Sequence, residues 1–239
     1  AATQGNEGAM FNLAFCMQRG GGMEKDEKGA FDLYLQHAKA GQTKAYAEVA
    51  RCYRFGIGTK ENAVKAYRWI QKGVKLNEPS CLCMMGYFFY DGKPYVRRSL
   101  RAAFKHFSKA ASRGSSAGKY VVGQMYYNGI HVRKDVEKGE TYMNEAADEL
   151  YAPALYRRGL ISERDGDNAL AVDCYYRAAQ DEYAPALVKM GIISERGEIV
   201  ARDENAAFYY FERAAERESA RGCYGLARCY EQGIGTEIS

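Results

Sequence analysis

Residues 45–58 read AYAEVARCYRFGIG, and residues 222–235 read GCYGLARCYEQGIG. Both place an apolar residue and Ala ahead of Arg-Cys-Tyr, and both end on Gly-Ile-Gly at the same offset. The small residue inside this pattern recurs at Ala14, Ala50, Gly86, Gly123, Gly159, Gly191 and Ala227, at intervals of 36, 36, 37, 36, 32 and 36. A second small position, at Ala30, Ala66, Ala103, Gly139, Ala171 and Ala207, keeps the same series. Two markers holding one register define an internal repeat, and a period of this length belongs to arrays of helical hairpins. Turn glycines keep step at Gly20, Gly56, Gly92, Gly129, Gly197 and Gly233. The short unit is the fifth, where four residues are missing near Asp165-Gly166, and a loop is where deletion is tolerated.

Each unit reads as two helices. In the second unit Ala45, Val49, Cys52 and Tyr53 form an i, i+4, i+7, i+8 stripe, which is one face of a helix. A glycine then ends that helix, because it takes the left-handed conformation without strain. The second helix alternates small and aromatic residues, as in Ala66-Tyr67-Arg68-Trp69-Ile70 and Ala207-Phe208-Tyr209-Tyr210-Phe211, and closes on Ala110-Ala111, Ala146-Ala147, Ala178-Ala179 or Ala214-Ala215. Small residues let helix backbones approach, and rings fill the space beside them. One hairpin cannot bury its own apolar face, so the units must stack. They run over about 6–41, 42–77, 78–114, 115–150, 151–181 and 182–218, with a partial unit at 219–239. The whole chain, 1–239, reads as a single solenoid domain. It stops just after Gly235, at the start of a seventh loop, which leads us to expect a fragment of a longer protein.

The pattern Ala45…Val49-Ala50…Tyr53…Gly56-Ile57-Gly58, repeated as Gly222…Leu226-Ala227…Tyr230…Gly233-Ile234-Gly235, resembles Sel1-like repeats, relatives of tetratricopeptide repeats. The resemblance covers essentially the whole chain. It implies an all-α fold, a right-handed α-α superhelix of about six and a half helix-turn-helix repeats. It also implies protein–protein contact as the working principle. Similar families serve as adaptors in ubiquitin-ligase complexes, activators of fungal cell-wall synthases, C-terminal modules of signalling kinases and bacterial proteins that engage host factors. A secreted branch carries two bridging cysteines per repeat. Here Cys16, Cys52, Cys81, Cys83, Cys223 and Cys229 fall on first helices and only Cys174 on a second, which does not fit that branch.

Carried over from tetratricopeptide-type solenoids, the inner groove is lined by first-helix residues three before the small marker and one and four after it. These are Phe11, Phe15 and Gln18; Ala47, Arg51 and Arg54; Cys83, Tyr87 and Tyr90; Tyr120, Gln124 and Tyr127; Tyr156, Leu160 and Glu163; Val188, Ile192 and Glu195; and Tyr224, Arg228 and Glu231. The middle is rich in tyrosine, which gives broad contact with two rotatable bonds and a polar tip. Arg51 and Arg54 could pair with partner carboxylates. The expected partner is an extended peptide or a helix, held by Phe11, Phe15, Arg51, Arg54, Tyr87, Tyr90, Tyr120, Gln124, Tyr127, Tyr156, Tyr224 and Arg228. The opposing reading is that some of these tyrosines pack between units.

Composition limits the alternatives. Apolar residues make up 47 %, enough for a folded interior. The 34 basic and 30 acidic side chains nearly balance, giving no strong case for nucleic acid or an anionic membrane. No apolar run reaches the ~20 residues of a membrane span. The start, Ala1-Ala2-Thr3-Gln4-Gly5, lacks the basic and apolar regions of a signal peptide. Seven cysteines cannot all pair, and no Asn-x-Ser/Thr acceptor occurs, so an intracellular, cytoplasmic setting is expected.

Chemistry finds little support. Cys16, Cys52 and Cys229 share a slot with Phe88, Met125, Ile161 and Ile193, a core position for a small hydrophobe. Cys81 and Cys83 are two apart on a helix and point to opposite sides, so they do not form a metal knuckle. His106 takes the aromatic slot of Trp69 and Tyr142, His37 a small-residue slot, and His131 a loop. Ser116 and Lys119 match the Ser-x-x-Lys motif of penicillin-recognising enzymes, but Ser-Asp-Asn and Lys-Thr-Gly are absent, and Ser116 reads better as a helix cap. Gly114…Gly118-Lys119-Tyr120 is one residue short of a phosphate loop. Arg97, Arg98, Arg101 and Lys105 read as a solvated outer face. Ser162 and Ser194 replace an aromatic slot and Arg158 an apolar one, which predicts looser packing there. The expectation is a scaffold with no enzymatic activity, cofactor or metal. The alternatives are a regulatory module of a larger signalling enzyme such as a kinase, and a β-lactam or peptidoglycan hydrolase.

Overall fold

The computed structural model describes residues 2–20, 22–92 and 96–238, with side chains from residue 8 onward. The side chains of Ala1-Ala2-Thr3-Gln4-Gly5 therefore lie outside the described residues. Among those described there are thirteen α-helices and no strand, the all-α helical repeat that the period requires. First helices are α1 (Ala2–Arg19), α3 (Thr43–Phe55), α5 (Pro79–Asp91), α7 (Ser116–Asn128), α9 (Ala152–Arg164), α11 (Ala184–Arg196) and α13 (Ala220–Gln232). Second helices are α2 (Glu27–Lys39), α4 (Ala63–Lys75), α6 (Leu100–Ser112), α8 (Val136–Asp148), α10 (Asn168–Gln180) and α12 (Glu204–Glu216). The chain packs as two compact units, Ala1–Gly139 and Glu140–Ser239. In the first, α3 touches α5 and α5 touches α7; in the second, α11 touches α13. First helices thus form a row of their own within each unit.

Every second helix starts on a short polar side chain. Asp26, Asn62, Ser99, Asp135, Asp167 and Asp203 accept the backbone N–H three residues on, at 2.8 to 3.2 Å. This satisfies one of the donors that a helix start leaves open. The same six residues donate their own backbone N–H to the carbonyls of Met17, Tyr53, Phe89, Tyr126, Ser162 and Ser194, at 2.7 to 2.9 Å. The loop between the two helices is therefore tied at both ends. In the fifth repeat only four residues lie between the tied ends, Ser162 and Asp167, against eight in the sixth, between Ser194 and Asp203. The four-residue deletion falls wholly inside the tie.

Second helices end in one repeated turn. Its residue, Gly41, Asn77, Gly114, Leu150, Glu182 or Glu218, has a φ between +57° and +89°. The following N–H bonds to a carbonyl five residues back, as in Glu78 to Gly73 and Ser115 to Ala110, the 6→1 bond of a Schellman close. Left-handed backbone suits Gly and Asn; Leu150 takes it against the preference of a side chain with a Cβ.

Two kinds of aromatic contact build the core. Within a hairpin, Phe107, Tyr175 and Phe211 lie against the glycine markers Gly86, Gly159 and Gly191, where an added Cβ would sit 2.6 to 2.8 Å from the ring. Between hairpins, a ring from four of the second helices meets one on the next first helix: Phe31 with Tyr53, Tyr67 with Phe88, Phe104 with Tyr126 and Phe208 with Tyr230, centroids 5.2 to 5.7 Å apart. Such pairs add to burial when edge-on or tilted. Where the first-helix slot holds Ser162 or Ser194, the preceding second helix offers Glu140 or Val172 instead of a ring. The looser packing expected there is not found. Ser162 and Ser194 are only 7 % and 4 % exposed, so both slots are closed without a ring. Arg158 is accommodated too: it bonds the Asp148 carboxylate and the Asn144 carbonyl, both at 2.8 Å.

His106 does pack in the aromatic slot, stacked on Phe89 with centroids 5.4 Å apart and planes 12° from parallel. Its Nδ1 is buried without a partner. Burial, then Lys105 and Lys109, hold its pKa below the usual imidazole value. The unfolded chain therefore binds the proton more readily, and stability is lost as pH falls through about 6.5, the unfolded value. His106→Phe should raise the melting temperature at pH 7 and flatten its fall between pH 7 and 5, read by thermal unfolding at each pH. An unaltered fall would remove His106 as its source.

Candidate protein-binding face

First helices carry their apolar stripe towards the second helices, which leaves the opposite side to the residues one and four after each marker. In the first unit this side is a connected row. Gln18 accepts a hydrogen bond from Arg51 at 2.7 Å across α1 and α3, and Arg51 is held in turn by Glu48 at 2.6 Å. Arg54 reaches Asp91 on α5 at 3.4 Å, and its guanidinium lies 5.2 Å from the rings of Phe55 and Phe88. Phe15 is 41 % exposed, with the Arg19 guanidinium 4.2 Å above its ring. Tyr87 is half-buried, edge-on to Phe107 at 5.0 Å. Tyr90 is half-buried, and its carbonyl accepts from Arg98 at 3.1 Å. Gln124, Tyr120 and Tyr127 are half-buried on α7.

The second unit repeats the device. Glu163 accepts from Lys189 at 2.8 Å and from the Tyr175 hydroxyl at 2.6 Å. These bonds hold the Glu163 carboxyl below its ordinary pKa despite partial burial, which pulls the other way. Glu195 pairs with Arg228 on α13. The arginines expected to await a partner thus already have carboxylates of their own chain. Sequence spacing showed the positions but not that a residue four after one marker reaches the next helix in the row.

The position three before the marker behaves differently. Ala47, Cys83 and Val188 there are buried. Tyr156 is wedged between Tyr175 and Tyr183, centroids 5.6 and 5.7 Å away, and burial pushes its hydroxyl pKa up. Phe11 is half-buried against Tyr34 at 5.4 Å. Tyr224 is 67 % exposed. Tyr183 is the residue just before α11, so this slot in the fifth repeat packs onto the start of the next repeat.

The groups with chemical potential are otherwise occupied. All seven cysteines are free thiols, and burial pushes Cys52 up to about 11 and Cys83 up to about 12, far from the thiolate a nucleophile needs. Cys81 and Cys83 are both buried, each on its own side of α5. No cluster of three metal-binding side chains exists among the described residues. The cap of α7 is Ser115, not Ser116: its hydroxyl accepts the Gly118 N–H at 3.1 Å, one residue earlier than the sequence suggested. No helix among the described residues is long and apolar enough to cross a membrane.

Comparison with known proteins agrees with the repeat. The family model described as Sel1 repeat matches residues 8–42, 43–78, 79–115, 116–149, 150–183, 184–219 and 220–238. Chitin synthase regulator SKT5 of Saccharomyces cerevisiae is 26 % identical over 250 residues, covering 98 % of this chain and 36 % of the relative. The ERAD-associated E3 ubiquitin-protein ligase component HRD3B of Arabidopsis thaliana is 29 % identical over 114 residues, 47 % of this chain and 17 % of that protein. The chain thus spans about a third or less of these curated relatives. A Sel1 repeat protein of Oxalobacter formigenes, known by crystal structure, superposes with a TM-score of 0.61 at 26 % identity over 88 % of each chain.

Proposed function

Because the chain belongs to the Sel1 repeat family, we propose that it is a protein-binding scaffold that takes a peptide or helix of a partner along the first-helix row of its first unit. The observation that carries this reading is the bonded row itself, from Gln18 and Arg51 to Arg54 and Asp91. Beside it stand Phe15 on α1 and Tyr87 and Tyr90 on α5, with Gln124 and Tyr127 on the next first helix, α7. Such a face offers aromatic anchors with polar tips and needs no catalytic group. Arg51 and Arg54, engaged with their own carboxylates, hold the row in place, while the tyrosines supply contact. Names of relatives point the same way, one being a regulator of an enzyme and another a component of a ligase. The unpaired thiols fit a reducing compartment.

A second reading keeps the face and changes the setting: the repeats are one module of a longer regulatory protein. It is favoured by the 36 % share of the chitin synthase regulator that the chain matches.

Affinity purification with mass spectrometry, wild type against Tyr87→Ala/Tyr90→Ala/Tyr127→Ala, tests the face. The partner should be recovered with the wild type and reduced at least about tenfold with the variant, while circular dichroism shows the same helicity. Equal recovery would overturn the assignment.

A further inference from the structure

The two compact units differ sharply in charge. Residues 1–139 hold 23 lysines and arginines against 11 acidic residues, a net of +12; residues 140–239 hold 11 against 19, a net of −8. The chain total of +4 hides both. In the second unit, ten of the eleven cations pair with a carboxylate. The first unit is otherwise. Helix α4 carries Lys65, Arg68, Lys72 and Lys75, helix α6 carries Arg101, Lys105 and Lys109, and neither contains an acidic residue. All seven side chains are exposed.

The spacing is regular. On α4 the steps are three, four and three residues, and on α6 four and four, so each set forms one ridge. Arg68 and Lys72 hold the same places, two and six after the marker, as Lys105 and Lys109 one repeat later. The corresponding residues of α2 are Asp32 and Gln36, and those of α12 are Tyr209 and Arg213. Like charges at these separations weaken a helix, and no ion pair with a carboxylate of this chain offsets them among the described residues.

We propose that the outward face of α4 and α6 is a second docking surface, for an acidic α-helix of a partner protein. Carboxylates along one stripe of a helix recur at three and four residues, matching the ridge charge for charge. Other polyanions fit less well. The apolar sides of both helices are largely spent in the core, with Ile70 and Phe107 fully buried, and the exposed Val64 and Leu76 at the two ends of α4 make no continuous face to enter a bilayer. Lys72 sits 4.1 Å over the Trp69 ring, with Tyr46 5.5 Å away, and His106 is stacked on Phe89, so the rings beside the ridges are engaged within the chain rather than set out as a stacking platform for bases. This surface lies on the second helices and does not rest on the first-helix reading.

The test uses the full chain and fluorescence anisotropy. The probe is a labelled helical peptide with glutamates at the three-four spacing. Its comparison is a peptide of equal charge with the spacing broken. Phosphatidylcholine vesicles carrying about one-third phosphatidylserine and a short DNA duplex complete the set. The patterned peptide should bind at least about tenfold more tightly than the broken one, weaken about tenfold or more in Arg68→Glu/Lys72→Glu/Lys105→Glu/Lys109→Glu, and change less than about threefold in Lys28→Glu/Lys39→Glu/Lys44→Glu/Lys60→Glu. The two variants change net charge equally, so equal losses would reduce the effect to bulk electrostatics and overturn the site. Equal binding of both peptides, or tighter binding of vesicles or duplex than of the patterned peptide, would overturn it as well.

Discussion

Phe107→Ala should lower the free energy of unfolding by about 3–5 kcal/mol, the range for emptying a fully buried aromatic site. The ring has no exposure. It fills the space that Gly86 leaves on α5, where a Cβ would come within 2.6 Å of two ring carbons. Tyr87 lies edge-on at 5.0 Å, so its packing goes with the ring. Relaxation cannot easily refill the gap, because the walls are helix backbone. Urea unfolding followed by circular dichroism reads the loss as a lower midpoint for the first unit. A shift worth less than about 1 kcal/mol would mean that the hairpin is not sealed by this ring.

Gly118→Ala should also destabilise, by up to about 2 kcal/mol net. Alanine is the better helix former by about 1 kcal/mol, so sequence-level propensity forecasts a gain. Packing reverses the sign. A Cβ there would lie 2.8 Å from the Ala111 nitrogen, 2.9 Å from the Ala110 Cβ and 3.1 Å from the Phe107 carbonyl oxygen. Backbone cannot swing aside as a flexible side chain does, so α6 and α7 must separate, at a cost of about 1–3 kcal/mol. Gly8→Ala supplies the contrast. Nothing lies within 4 Å of its Cβ, and the same exchange should be neutral or stabilising. If both variants gain stability in the same urea titration, the close approach of α6 to α7 is not real.

The repeat and its helix pairs were legible because two small markers and the turn glycines keep one spacing. A third series is equally legible: the caps at Asp26, Asn62, Ser99, Asp135, Asp167 and Asp203 step by the same intervals. The turn after each second helix is only half visible. Gly41, Asn77 and Gly114 advertise left-handed backbone, whereas Leu150, Glu182 and Glu218 adopt it with no sign in their residue type. Aromatic slots misled when taken singly. A serine looked like lost packing, but the residue facing it across the hairpins had changed too. For the binding face, spacing gave the residues after the marker. It could not show that Arg54 would find the Asp91 carboxylate or that Arg51 would reach Gln18, since those bonds cross between helices 37 and 33 residues apart, whereas the carboxylate of Arg51, Glu48, lies on its own helix. The basic ridges were masked by averaging over a chain whose halves carry opposite charge.

The paired bonds that clamp each inter-helix loop have an engineering consequence. Whatever is threaded between Tyr53 and Asn62, or between Tyr126 and Asp135, hangs from two anchor points bonded to each other. The fifth repeat has already shortened its thread by four residues with the clamp intact. Such positions are natural splice sites, where an epitope, a fluorophore tag or a foreign recognition sequence could be carried as cargo while the helical spine keeps its spacing.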